Sequence, residues 1–191
     1  MTRFEFFDRR PIVVAVAGPN GAGKSTFYRA HLAPAGLPFV NADVLAAELG
    51  LDAAGAMRTA NALRRSLVTR GESFVFETVF SDPVGDKLAF LAETAADGYT
   101  IVVCFIGLAS ADLSEERVAM RVLQGGHDVP HDRLKARFPR TMANLHAAIQ
   151  QLPHVLVFDN SDLARPFRLV AVFEHAQRAE DSEPIPGWLQ L

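Results

Sequence analysis

The chain has 191 residues, of which 49% are hydrophobic and 21% charged, with a formal net charge of −3. Such a chain is long enough for one folded domain with a substantial core; its composition excludes a disordered protein, and its slight acidity speaks against a broad nucleic-acid-binding surface. Its single cysteine, Cys104, rules out a disulfide framework or a cysteine metal site within one chain, and no apolar run approaches the ~20 residues of a membrane span.

Met1 to Arg10 alternates Phe4, Phe6 and Phe7 with Arg3, Glu5, Asp8 and Arg9 and lacks the continuous apolar stretch of a signal peptide, so a cytoplasmic location is expected. These phenylalanines either cover a sheet edge or meet a partner. Ile12 to Ala17 is uninterrupted apolar sequence rich in valine, the pattern of a parallel strand buried on both faces. Directly after it, Gly18-Pro19-Asn20-Gly21-Ala22-Gly23-Lys24-Ser25 fits the phosphate-binding pattern G-x-x-x-x-G-K-[ST] at every fixed position. With a helix starting at Ser25, the glycines let backbone N–H groups turn inward as an anion nest, which the positive end of the helix reinforces. The expected ligand is ATP with Mg²⁺: Lys24 reaches the β- and γ-phosphates, Ser25 offers its hydroxyl to the ion, and Thr26 caps the helix start or packs beneath the loop.

That first helix is expected to run into His31 and end where Pro34, Gly36 and Pro38 break it. A short strand, Phe39 to Asp43, then delivers Asp43 to the sheet edge where ligands bind, or leaves it as the N-cap of a helix beginning at Val44. Asp52 to Arg70 carries apolar residues at helical spacing, with Arg58, Arg64, Arg65 and Arg70 on the other faces, and Gly71 ends it. The next strand, Ser73 to Thr78, places Glu77 where the apolar run gives out. There it can hold a magnesium-bound water or bind a substrate hydroxyl, unless it is a strand-end carboxylate in solvent.

Pro83 to Asp97 reads as a helix with Pro83 in its first turn, and Tyr99 to Leu108 as the most apolar, central strand, with Cys104 a small buried hydrophobe. The alternation of strand and helix predicts a doubly wound α/β domain with a mainly parallel sheet. Residues 110–151 read as a helical lid or substrate segment broken at Gly125 to Pro130. Arg117 and Arg121 share one face, and Arg133, Arg137 and Arg140 a second, with a kink or restart at Pro139. Leu134, Phe138, Met142, Leu145 and Ile149 form the docking face. These arginines are either a solvated basic face or, next to a phosphate loop, cations for a transferring phosphoryl group. His127 and His131 are four apart, but Pro130 spoils a regular helix between them and no third metal ligand is evident. His154 to Ser161 is the last core strand, followed by an apolar stretch from Phe167 to Phe173. Asp159 competes with Glu77 for the magnesium side, or forms a turn with Asn160 and Ser161 that frames the adenine end. From Glu180 onward a loose tail is expected, with Trp188 as its anchor.

Taken together, Gly18 to Thr26, Val40-Asn41-Ala42-Asp43, Phe76-Glu77-Thr78, Arg117 to Arg121 leading into Gly125-Gly126-His127-Asp128-Val129-Pro130, Arg137-Phe138-Pro139-Arg140 through Asn144-Leu145, and Asp159-Asn160-Ser161 resemble the zeta toxin family of phosphate-loop kinases. The resemblance is narrower still to its compact branch of zeta-like, so-called ABC-type ATPases. It implies a P-loop kinase-like three-layer sandwich whose five-stranded sheet has the parallel order 2-3-1-4-5, and transfer of the γ-phosphate of ATP to a sugar hydroxyl, in the best-known members that of UDP-N-acetylglucosamine. It further implies Asp43 as general base and Asn41, Glu77 and Thr78 on the acceptor. Arg121 with Arg137 or Arg140 would lie on the transferring phosphate, and an antitoxin protein would be a partner. Val44-Leu45-Ala46-Ala47-Glu48 stands where many zeta toxins carry a basic residue soon after the aspartate.

A second reading is a regulatory or switch-type ATPase without a small-molecule acceptor. A GTPase is disfavoured by the missing Asn-Lys-x-Asp element. An ABC transporter subunit is disfavoured by the missing Leu-Ser-Gly-Gly-Gln signature, of which Leu123-Gln124-Gly125-Gly126 is only an echo.

Overall fold

A computed structural model describes residues 4–123, 130–180 and 185–189. Strand β1 (Ile12–Ala17) is buried at all six positions because it lies between two parallel neighbours, β3 (Phe74–Thr78) and β4 (Thr100–Gly107). With β2 (Phe39–Val40), β5 (His154–Asp159), β6 (Arg168–Glu174) and β7 (Gln177–Glu180), the order is β2-β3-β1-β4-β5-β6-β7. The first five strands of the chain are parallel, in the expected order β2-β3-β1-β4-β5. The sheet has seven strands and not five, because β6 and β7 continue it in antiparallel fashion. The β6–β7 hairpin turns through His175 and Ala176 at φ of 48° and 64°, positions where Asn or Gly is usual, so no sequence signal marks it.

Helices cover both faces. On one, Val13, Ala15, Phe76, Val103 and Phe105 meet Leu91 of α4 (Asp86–Ala96) and Leu145 and Ile149 of α6 (His131–Gln151). On the other, Val14, Val16, Cys104 and Ile106 meet Phe27 and Leu32 of the first helix and Phe6 of the N-terminal segment. Phe6 stacks on His154 at 4.2 Å, so the N-terminal aromatic cluster covers the sheet. Burial pushes the Cys104 thiol up to about 12, in keeping with its reading as an inert hydrophobe.

Several boundaries differ from expectation for local reasons. Helix α1 (Lys24–Phe27) continues as a π turn over Tyr28–Leu32 and ends at Gly36 in the left-handed region. Helix α2 (Ala42–Leu49) begins before Val44, since Asn41 caps it, and α4 begins after Gly85, leaving Pro83 in the preceding turn. Pro139 does not interrupt α6: it is exposed within an unbroken helix, so the missing N–H is lost on the solvent side. In α3 (Ala53–Thr69), Arg64 does not face solvent. It is 5% exposed, with its guanidinium 4.7 Å from the Phe76 ring centroid, and burial lowers its pKa to about 10. Residues 124–129, with His127 and the Gly-Gly-His motif, lie outside the described residues. Among the described residues no helix is long and apolar enough to cross a membrane.

Candidate active site

The loop after β1 turns on glycine geometry. Gly18 has φ 143°, and a Cβ there would lie 2.2 Å from the Ile106 carbonyl oxygen; Gly23, at φ 86°, takes the N-cap position of α1. No side chain caps α1, so its first N–H groups keep their hydrogen-bonding capacity for an anion. Thr26 therefore neither caps the helix nor packs beneath the loop; it is exposed on the first turn. Lys24 is buried, and its Nζ donates to the Pro19 carbonyl at 2.9 Å. Burial lowers its pKa, opposed by Glu77 and Asp43 and reinforced by Arg121 and Arg137, so these four charged groups converge on the lysine.

One flank of the loop gathers the acids. Glu77, 12% exposed at the end of β3, is not a solvent carboxylate. Its Oε2 accepts from the Ser25 hydroxyl at 2.7 Å and from Asn41 Nδ2 at 2.9 Å, and its Oε1 lies 3.9 Å from Lys24 Nζ. Asn41 does two jobs, because its Oδ1 also accepts from the N–H groups of Asp43 and Val44 and so caps α2. The alternative that Asp43 is the N-cap is thereby removed. Asp43 sits exposed in the first turn of α2, and among the described residues no hydrogen bond or ion pair takes up its carboxylate. Thr78 Oγ1 accepts from the Phe80 N–H at 3.1 Å, shaping the loop beyond β3.

The opposite flank holds the loop in place. Ser114, on α5 (Ala111–Leu123), donates its hydroxyl to the Asn20 carbonyl at 2.7 Å, and Asn160 Nδ2 donates to the Ala22 carbonyl at 2.9 Å. Arg117 donates to the Ser161 carbonyl at 3.1 Å. Asp159 is committed to Ser161, Arg168 and Trp188; burial pushes its pKa up, but those hydrogen bonds outweigh burial and hold it below the usual carboxylate range. It belongs to the turn and not to a metal site.

The arginines divide. Arg137, half-buried on α6, has its pKa lowered by burial and by Arg133 and Arg140 and raised by Asp43, which places it in the field of that carboxylate. Arg140 Nε instead donates to the Ser81 carbonyl at 3.1 Å. With Thr141 and Asn144 it clamps the loop after β3 through the carbonyls of Val79, Phe80, Ser81 and Asp82. His131 pairs with Glu115 at 3.1 Å, and among the described residues no group of three or more His, Cys, Asp or Glu is placed to hold a metal. Asn144 lies in the stretch after Arg140 that carries the zeta-like resemblance, though nothing there assigns it a contact; Ser114 has no sequence signal, since a lone polar residue in a helix has no pattern to betray its carbonyl partner.

Fold and loop define a P-loop protein of the kinase-like α/β class. The chain belongs to the AAA domain family, whose AAA_33 model matches residues 13–143. A search of curated proteins returned no match. Among solved structures, the chain is similar to the AvrRxo1-ORF1:-ORF2 complex with ATP, at TM-score 0.68 and 18% identity over 92% of this chain and 62% of that one. It thus spans about three fifths of that protein's length. It is also similar to the PezAT chromosomal toxin-antitoxin system of Streptococcus pneumoniae, at TM-score 0.60 and 19% identity over 86% and 72% of the two chains. A gluconokinase from Sinorhizobium meliloti aligns at TM-score 0.50 and 22% identity over 83% and 86%.

Proposed function

We propose that the chain is an ATP-dependent small-molecule kinase of zeta toxin type, which moves the γ-phosphate of ATP to a hydroxyl of a nucleotide sugar such as UDP-N-acetylglucosamine. The observation that carries this reading is the uncommitted carboxylate of Asp43, freed from capping by Asn41 and acting on both Lys24 and Arg137. A carboxylate at the phosphate end of a P-loop with no hydrogen-bond or ion-pair partner among the described residues suits a general base for an acceptor hydroxyl.

In this reading the backbone of residues 18–26 cradles the triphosphate, and Lys24 leaves Pro19 for the β- and γ-phosphates. Arg121 and Arg137 face the charge that develops on the phosphoryl oxygens, while Asn41, Glu77 and Thr78 orient the acceptor. Arg140 positions the wall of the acceptor side. The residues fit Mg²⁺, because the Ser25 hydroxyl and Glu77 carboxylate are adjacent hard oxygen donors at 2.7 Å and leave the remaining coordination to phosphate and water. When bound, the ion neutralises charge on the phosphate oxygens. The toxin-antitoxin neighbour supports an antitoxin as partner. Growth arrest on expression, relieved by Lys24→Ala, is the expected sign of toxicity.

The test is transfer from γ-labelled ATP with Mg²⁺ to a panel of UDP-sugars, nucleosides and an aminoglycoside. Label on one acceptor, lost in Lys24→Ala and Asp43→Ala, is expected. Label released only as free phosphate, unchanged in Asp43→Ala, favours the regulatory ATPase.

A further inference from the structure

The proposed chemistry leaves one set of contacts without a role: the C-terminal segment folds back over the carboxyl ends of β4 and β5. Trp188 packs so closely on Gly107 that a Cβ there would fall 2.1 Å from the indole ring, and Leu189 beside it is 3% exposed. The indole Nε1–H donates to Asp159 Oδ1 at 3.3 Å. The same oxygen accepts from the Ser161 N–H at 3.0 Å and the Ser161 hydroxyl at 2.5 Å, while Oδ2 accepts from Arg168 at 3.2 Å.

Asn160 lies between the two residues Trp188 touches. Its N–H donates to the Gly107 carbonyl at 3.0 Å, its Oδ1 accepts from the Phe167 N–H at 3.2 Å, and its Nδ2 donates to the Ala22 carbonyl inside the phosphate loop at 2.9 Å. A Cβ on Gly23 would stand 2.9 Å from that same Nδ2 and 3.4 Å from the Phe167 ring. The indole ring therefore fixes Gly107, the indole N–H fixes Asp159, and both fix the backbone from which Asn160 reaches the loop. Linked hydrogen bonds inside a protein strengthen one another, so each bond in this series supports the next.

We infer that Trp188 is a positioning residue for the nucleotide: docking of the C-terminal segment sets the phosphate loop through Asp159 and Asn160, so ATP affinity depends on a side chain beyond the AAA domain match at 13–143. The inference rests on the nucleotide reading of the loop. It acts on ATP binding and leaves acceptor binding and the transfer step unchanged once ATP is saturating.

Two variants attack the contact from opposite sides, and a third divides it. Trp188→Ala removes the indole, Gly107→Ala displaces it, and Trp188→Phe keeps a ring over Gly107 but loses the N–H donor. Binding of ATP with Mg²⁺ is measured by calorimetry on the full chain of each, beside Lys24→Ala, with secondary structure checked by circular dichroism. Trp188→Phe is expected to raise the Kd about fivefold and the other two about tenfold or more, with kcat at saturating ATP and the acceptor KM unchanged. Trp188 is the single tryptophan, so its emission shifts on ATP binding in the wild type and does not in Lys24→Ala. Folded Trp188→Ala and Gly107→Ala proteins with wild-type ATP affinity overturn the inference alone. A wild-type chain that binds no ATP overturns the nucleotide reading and the inference together. If Trp188→Ala and Gly107→Ala do not fold, Trp188→Phe decides, and wild-type affinity in it overturns the inference.

Discussion

The two flanks of the phosphate loop use similar residue types to opposite ends. On the β4–β5 side, Ser114, Arg117, Asn160 and Asp159 each spend their polar atoms on backbone groups or side chains of the protein. On the β3 side, Ser25, Asn41 and Glu77 form a chain that stops short of the Asp43 carboxylate, which no described residue hydrogen-bonds. The lesson is that a buried, satisfied polar group holds structure, whereas a polar group held in place without a partner has capacity left for a ligand. Lys24 stands between the two: it is buried, its ammonium donates to the Pro19 carbonyl, and Glu77 Oε1 lies 3.9 Å away.

Mutations that respect this division are expected to separate rate from stability. The largest effect belongs to Asp43→Asn, which should slow phosphate transfer by about 10² to 10⁴ while ATP affinity and melting temperature stay at wild-type values; single-turnover kinetics beside thermal unfolding check both. On the scaffold side, Gly18→Ala forces a Cβ to 2.2 Å from the Ile106 carbonyl oxygen and should cost about 2–4 kcal/mol in urea unfolding. Asn160→Ala leaves the Ala22 carbonyl and the Phe167 N–H without their donor and acceptor, for a loss of about 1–3 kcal/mol and weaker ATP binding, but an unchanged transfer rate at saturating ATP. The smallest effect lies at the start of β5, at the opposite end of the parallel strands from the phosphate loop, where burial lowers the His154 pKa, opposed by Glu174 and reinforced by His175 and Arg9. The unfolded chain then takes up the proton first, so His154 makes stability fall as pH drops through the ordinary histidine value near 6.5 toward the lower folded one. His154→Phe should flatten that slope between neutral and mildly acidic pH without touching transfer, as urea melts at the two pH values will show.

Much of this division was legible in the residues. The phosphate loop announces itself because its glycines, lysine and serine all fall at fixed places within residues 18–25, and the order of the parallel strands follows from alternating strands and helices once the zeta-like resemblance is admitted. Asp43 reads either as an acid at the ligand edge of the sheet or as a helix N-cap, and only the hydrogen bonds from the Asp43 and Val44 N–H groups to Asn41 separate these readings. Arg140 shared a helical face with Arg137 in sequence, yet the loop after β3 captures it through Ser81, a contact that no periodicity encodes. The same holds for β6 and β7, whose turn lacks the residues that usually mark one, and for Trp188, whose partners Gly107 and Asp159 lie far away in sequence. Local chemistry writes itself into neighbouring residues; long-range hydrogen bonds do not.

The most direct test sets Asp43→Asn beside Asn160→Ala and measures, for each, the ATP Kd and the rate constant for phosphate transfer at saturating ATP and acceptor. The account predicts a crossed result: Asp43→Asn keeps ATP affinity and loses the transfer rate, and Asn160→Ala loses affinity and keeps the rate. An Asp43→Asn protein that transfers phosphate at the wild-type rate would contradict the assignment of that flank to chemistry.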